Sequence, residues 1–242
     1  MINALYDNFK FWSEKGSVYI ISDTHFDDKD CKLMDKNWIS PKEQISIINK
    51  LVHKNDTLII LGDIGNVEYI KQIKGYKVLI AGNHDVGLSN YKRKLITVEY
   101  DEKDWSVDAA RIDLEKKYPG CKISYLGENY FFHSPFVRLY FQVDNQLFDE
   151  VYGGPLMIGE KLLLSHEPIE NINWALNIHG HDHSGRFCND IYHLNLAANI
   201  CNFTPISLGE YLKKYGVKKI KSIHRDTIDN ATKRKQKRNN KR

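Results

Sequence analysis

The sequence predicts a mixed α/β fold built around a largely parallel sheet. Three observations carry this. Short β-rich apolar runs alternate with helical patterns through the N-terminal half. Five apolar runs each end in a polar cluster of Asp, Asn or His, as strands do when a site sits at their ends. No apolar run approaches the roughly 18–20 residues of a membrane-spanning helix.

The elements follow in order. Residues 18–22 (VYIIS) read as a first strand that ends at Asp23. Ser40, Pro41 and Glu43 mark a helix start: an N-cap, a proline at the first helical position, and a glutamate three residues after the cap. Ile45, Ile48, Leu51 and Val52 then recur at helical spacing. Residues 57–61 (TLIIL) form a second strand before Gly62 and Asp63. Residues 67–74 read as a short helix stopped by Gly75. Residues 77–81 (KVLIA) are a third strand, ending at Gly82, Asn83, His84 and Asp85. Later strands at 161–164 (KLLL) and 174–178 end at His166 and at His179-Gly180-His181-Asp182-His183. Residues 194–214 read as strand, loop and helix.

Residues of about 91–157 break this rhythm and read as an insertion into a domain spanning 1–225. They hold one helical pattern (108–118) and β-rich stretches at 122–126 and 137–143. Tyr125, Tyr130, Phe131, Phe132, Phe136, Tyr140 and Phe141 crowd there, as strand core or as a base-stacking surface.

The composition is that of a globular protein, with 42% hydrophobic and 27% charged residues in 242. The net charge of +4 hides a division. Residues 231–242 carry seven basic side chains and no acid, which leaves 28 basic against 31 acidic residues elsewhere. Residues 226–242 therefore read as a basic, disordered tail, and nucleic acid is the partner such a tail would attract. The N-terminal residues have no long apolar stretch and do not read as a signal peptide. Cys31, Cys121, Cys188 and Cys201 are far apart, without a C-x-x-C pair. Reduced thiols in a cytoplasmic protein are the expectation, with no membrane among its partners.

The chemistry lies in the strand-end clusters. Carboxylate and imidazole suit borderline divalent ions such as Mn, Fe, Zn, Ni or Co. In Asp-x-His and His-x-His, one intervening residue in an extended segment puts both side chains on one face. Asp23, His25, Asp63, Asn83, His166, His181 and His183 are the candidate ligands.

The ordered set DTH, GDIG, GNHD, SHEP and GHDH resembles the calcineurin-like metallophosphoesterases over roughly residues 17–210. The resemblance implies a two-sheet αββα sandwich with a dinuclear metal centre at the strand ends, plus the mixed α/β insertion. It implies that Asp23, His25 and His183 hold one metal, that Asn83, His166 and His181 hold the other, and that Asp63 bridges. It makes His84 a catalytic histidine near the leaving group, oriented by Asp85. Gly65-Asn66-Val67 and Asp85 depart from the protein phosphatase pattern, and Ile64-Gly65-Asn66 offers no tyrosine ligand of the purple acid phosphatase kind. The full Gly-His-x-His points to the phosphodiesterase-like branch. Val86 stands where relatives often carry a phosphate-binding arginine, which leaves Arg138 as a substrate-binding candidate.

The expected function is hydrolysis of a phosphomonoester or phosphodiester on a small or nucleotide-type substrate, using two divalent metal ions. The alternatives are a nuclease that uses the basic tail, and a non-catalytic metal-binding scaffold.

Overall fold

The computed structural model describes residues 16–91, 94–101, 103, 105–130, 135–188, 190–217 and 219–239. The chain is mixed α/β and divides into two compact units, Met1–Val86 with Glu150–Arg242, and Gly87–Asp149.

In the first unit, strands β1 (Val18–Ile21), β2 (Thr57–Ile60) and β3 (Tyr76–Ile80) lie parallel and side by side. They are buried apart from Tyr19, Tyr76 and Lys77, and rich in Val, Ile and Leu, as strands covered on both faces are. The helix α2 (Pro41–Leu51) connects the first pair. Its start is the predicted capping box: the Ser40 side chain accepts the Glu43 N–H, and the Glu43 carboxylate accepts the Ser40 N–H. The predicted helix at 67–74 is a tighter 3-10 turn, Val67–Gln72, capped by Asn66.

Later strands of the chain extend this sheet. With β4 (Lys94–Asp101), β5 (Lys122–Tyr130) and β6 (Phe136–Asp144) counted in the second unit, β7 (Glu150–Tyr152) pairs parallel with β3. A second sheet holds β8 (Leu156–Ile158), β9 (Leu162–Leu164), β10 (Leu176–His179) and β11 (His193–Asn195) in the order β11-β10-β9-β8. The two-residue β12 (Ile206–Ser207) closes the other edge of the first sheet, antiparallel to β1. The largely parallel pairing expected of the N-terminal half is present in β1, β2, β3 and β7, and parallel pairing recurs in the second sheet through β9, β10 and β11.

Both sheets feed one core. Ile20, Ile59, Leu61 and Val78 from the first sheet share a buried cluster with Leu164, Leu176, Ile178 and Leu194 from the second. Each such side chain contributes about 1.5–3 kcal/mol by leaving water. Ile59→Ala would cost about 2–5 kcal/mol through lost burial and an unfilled cavity.

The second unit is antiparallel, in the order β4-β6-β5, with α3 (Val107–Lys117). Val137, Leu139, Phe141 and Val143 alternate inward along β6. They pack with Ala110 and Leu114, one helical turn apart, and with Tyr118. The insertion therefore ends at Asp149, short of the expected 157, because β7 and β8 pair with strands of the first unit. Of the crowded aromatics, Phe141 is core while Tyr130 and Phe136 are about half exposed, at 52% and 48%. Phe131 and Phe132 lie outside the described residues.

The C-terminal region is a second correction. Helix α5 spans Ile223–Asn239, where the charge run predicts disorder. Lys, Arg, Gln and Ala are all good helix formers, so intrinsic propensity outweighs the charge. An i,i+4 pair between Arg225 and Asp229 (3.2 Å) and a Lys221–Asp229 bond (2.9 Å) secure its first turns. No helix among the described residues is long and apolar enough to cross a membrane.

Candidate metal centre

The register of the parallel strands brings the clusters together. Ile21 pairs with Ile60 and Ile60 with Leu79, so β1, β2 and β3 end level. Leu164 pairs with Ile178, and His179 with Asn195, which aligns the second sheet in the same way. A bridge between Ser22 and Ala197 joins the two strand-end regions. Asp23 and His25 follow β1, Asp63 follows β2, Asn83 and His84 follow β3, His166 follows β9, and His181 and His183 follow β10.

Two groups result. Asp23, His25 and His183 offer ligand atoms within 4.8 Å of one another, as do Asp63, His166 and His181. Asn83 belongs with the second group: its Oδ1 is 2.8 Å from His166 Nε2. Asp63 touches both, its Oδ2 lying 3.7 Å from His25 Nε2 and 3.3 Å from His166 Nε2. All seven predicted ligands are therefore brought to one place.

The backbone there is not the extended one that the Asp-x-His reasoning assumed. Asp23 (φ 55°), His25 (φ 38°), Asp63 (φ 52°) and His181 (φ 68°) are all left-handed. Asp and His enter that region more readily than most residues, at a cost of order 1 kcal/mol each. The turn at His181 separates the two histidines of the His-x-His: His181 joins the Asp63 group and His183 the Asp23 group. Close packing fixes the loops. A Cβ at Gly180 would collide with the Asp23 carboxylate and the Ser22 hydroxyl. Gly62 has φ 82° and leaves no room for a side chain against Gly82 and His166.

Second partners orient the rings. His166 Nδ1 donates to the Leu61 carbonyl at 2.8 Å. His25 Nδ1 donates to Asp28 Oδ2 at 3.0 Å, and His183 Nδ1 to Asn199 Oδ1 at 3.2 Å. Asn199 returns a bond from its Nδ2 to the His183 carbonyl at 2.8 Å. In all three rings Nε2 is left with its lone pair facing the ligand groups, the tautomer that metal binding needs. Asp28 and Asn199 were missed by the sequence reasoning. Asp28 is one of three acids, with Asp27 and Asp30, that follow His25 and cannot be told apart by spacing, and Asn199 sits in a loop with no periodic signal.

The arrangement calls for positive charge. His166 Nε2 faces Asn83 Oδ1, Asp63 Oδ2 and, at 3.1 Å, His181 Nδ1. A lone pair turned on the two acceptor oxygens of Asn83 and Asp63 requires a proton or a cation between them. Without a cation, burial lowers the His166 pKa, but the Asp63 and Asp23 carboxylates and the Leu61 carbonyl outweigh it and lift the ring to about 9. Burial likewise pushes Asp63 up, and His166, the His84 N–H and His25 overcome it to hold the acid at about 2. Asp23 Oδ1 and His25 Nε2 are buried and have no hydrogen-bond partner. They stand 4.0 Å apart, with His183 Nε2 3.5 Å from the same oxygen. Ligands each about 2.1 Å from one ion lie roughly 3–4 Å from each other. The residues present fit a divalent ion in each group.

The predicted pairing of Asp85 with His84 is corrected. Asp85 Oδ2 accepts the N–H groups of Asp63 (2.9 Å) and Gly82 (2.9 Å), and Oδ1 that of Ile64 (3.2 Å). It anchors two ligand loops and makes no hydrogen bond to His84 among the described residues. Burial raises its pKa, and those amides work against the rise. His84 is exposed, with its ring 5.9 Å from that of His25. The carboxylate that feels its charge is Asp28, which the Asp30 N–H, foremost, and the His25 and His84 rings hold below the ordinary range.

Arg138 lies in the second unit and pairs with Glu99 on the adjacent strand. A guanidinium so neutralised is a cross-strand ion pair in the first instance. His179 is buried, its pKa lowered by burial, and bonds to the Gly180 carbonyl. His193 bonds to Asp190 and the Ile169 carbonyl, and His53 pairs with Asp56. His133 lies outside the described residues. The four cysteines are free.

No protein-family model matches the chain, and no curated protein does. One solved structure, a protein of unknown function from Aquifex aeolicus, is 20% identical with a TM-score of 0.48. The match covers 82% of this chain and 98% of that one.

Proposed function

We propose that the chain is a phosphoester hydrolase of calcineurin-like type that uses two divalent metal ions. The observation that carries this reading is Asp63. One carboxylate oxygen lies within 3.7 Å of a ring nitrogen from each ligand group, the position of a bridging ligand. The shared core of the two sheets agrees with the two-sheet sandwich of that family.

Divalent ions held by Asp23, His25 and His183 and by Asp63, Asn83, His166 and His181 would supply positive charge to phosphate oxygens and would acidify water. The chain's residues do the rest. Asp28, Asn199 and the Leu61 carbonyl hold three histidines with Nε2 presented. Asp85 holds the Asp63 and Gly82 loops in register. His84 is exposed at the rim, free to deliver a proton to the departing alcohol oxygen. The deciding experiment is metal analysis of the purified chain coupled to hydrolysis of p-nitrophenyl phosphate and bis(p-nitrophenyl) phosphate. Two bound ions and metal-dependent release of p-nitrophenol are expected. A chain that binds ions yet hydrolyses neither ester is a scaffold, and the reading fails.

A second reading, nucleic-acid processing, rests on α5. Lys233, Arg234, Lys235, Lys237 and Arg238 follow one another on that helix without an intervening acid.

A further inference from the structure

A cavity of about 420 Å³ lies behind the second sheet's ligand-bearing end. Trp174 and Tyr192 line it with Asn173, Lys219, Lys221 and Asn230. Trp174 precedes β10 and Tyr192 precedes β11, its parallel neighbour, whereas His181 and His183 follow the far end of β10. The four residues of β10 separate the two ends by about 13 Å. Lys161, just before β9, reaches the Val217 carbonyl at 3.5 Å, which brings the approach to α5 to this same near end. The cavity is therefore a place apart from the candidate metal centre.

Its chemistry is aromatic and basic. Trp174 packs on the cluster of Leu163, Ile172 and Ala175, and Tyr192 on the main core, so both rings are held by the fold while half-buried. Two held rings offer π-faces to a flat heterocycle at little cost in side-chain freedom. No acid lines the cavity. Asp229 is engaged by Lys221 and Arg225, and Lys219 is exposed with no ion pair among the described residues.

Helix α5 continues this surface. Its Thr227 and Asn230 line the cavity, and Asn230 also lines a second concavity with Lys233, Arg234 and Lys237. Positions 227, 230, 234 and 237 recur at helical spacing and share one face, about 15 Å long. A basic track thus leads away from an aromatic pocket. We propose that this surface binds single-stranded nucleic acid, with one base held against Trp174 and Tyr192 and the following phosphates along Lys219 and the basic face of α5. The proposal goes beyond the hydrolase reading and gives the nucleic-acid reading its surface. A duplex keeps its bases stacked and offers none to such a pocket. A membrane surface would ask for an apolar face of aromatic or leucine side chains on α5, and that helix has neither residue type.

The test uses the full chain and a phosphorothioate oligodeoxythymidine, which resists hydrolysis, with binding read by fluorescence anisotropy over a range of salt. Trp174→Leu should weaken binding about tenfold with little change in salt slope, and Trp174→Phe should stay within about threefold of wild type. Lys219→Gln should lower the salt slope by about one. Lys219 is exposed, so that variant keeps the test open even where Trp174→Leu does not fold. In the wild type, an oligonucleotide bearing iododeoxyuridine should photocrosslink to Trp174 or Tyr192. Hydrolysis of p-nitrophenyl esters should be unchanged in all three variants. Wild-type binding at Trp174→Leu, a crosslink elsewhere, equal affinity for duplex DNA, or preference for phosphatidylserine vesicles over the oligonucleotide overturns the proposal and leaves the hydrolase reading standing. Oligonucleotide binding of the expected kind in a chain that hydrolyses no ester sinks the hydrolase reading alone.

Discussion

Asp85 Oδ2 accepts the backbone N–H of Asp63 at 2.9 Å, and this bond ties an anchor to the carboxylate shared by both ligand groups. The same oxygen takes Gly82 N–H, one residue before Asn83. Asp85→Ala would strand three amides that now share one carboxylate. Stability should fall by about 2–4 kcal/mol in urea unfolding, and metal content should drop with it. If Asp85 acted through His84 instead, the variant would keep its metals and change only its pH–rate profile.

His84 meets His25 only ring edge to ring face and belongs to neither ligand group, so its loss should spare the metals. His84→Ala is expected to slow alkyl esters about a hundredfold. Esters of p-nitrophenol, whose leaving oxygen needs little protonation, should lose much less. Equal losses for both, at full metal occupancy, would remove the proton-donor role.

Asp63→Asn keeps the shape of the side chain proposed to bridge but removes its charge. Metal analysis should show fewer than two ions per chain, and hydrolysis should fall by about a thousandfold or more. A variant that retains two ions and full activity would overturn the bridging assignment.

The metal-free chain should show a distinctive pH dependence. His166 rises from an ordinary 6.5 to about 9 on folding. Its protonated ring therefore stabilises the fold fully below pH 6.5, and that contribution fades as pH climbs through 9. The thermal midpoint of chelator-treated protein should fall across this window. Saturating manganese takes the proton's place and should flatten or reverse the slope. A chelated chain with a level midpoint from pH 6.5 to 9 would contradict the coupling.

Removing residues 231–242 tests the nucleic-acid reading. Single-stranded DNA binding should weaken, with a shallower dependence on salt, because fewer phosphate contacts release fewer counterions. Binding that is unchanged in strength and salt slope would leave α5 as a solvated helix.

The candidate site was legible because its signals are local: polar residues at the ends of apolar strands. Strand ends at 22, 61, 81 and 164 were readable to within a residue because Val, Ile and Leu runs stop abruptly there. What failed depended on tertiary context. The left-handed turn at His181 comes from packing against Asp23, which accepts its N–H at 2.9 Å, and no residue type announces it. Two of the three anchoring bonds of Asp85 go to Asp63 and Ile64, 22 and 21 residues away in sequence. The strand order within each sheet depends on which neighbours pair, which hydrophobic runs alone do not specify. The basic segment is helical because the helix propensity of Lys and Arg outweighs the repulsion among their charges.

The four left-handed candidate ligands carry an implication for how this chain would respond to selection. Asp23, His25, Asp63 and His181 hold an unfavourable backbone at positions where charge is also buried or crowded. Glycine at any of them would relax the chain while deleting a ligand. A library screened for heat resistance alone, with chelator present, should therefore accumulate substitutions in these loops first. Thermostability and ion capture are opposed at the same four codons, and only a screen that demands both would keep them.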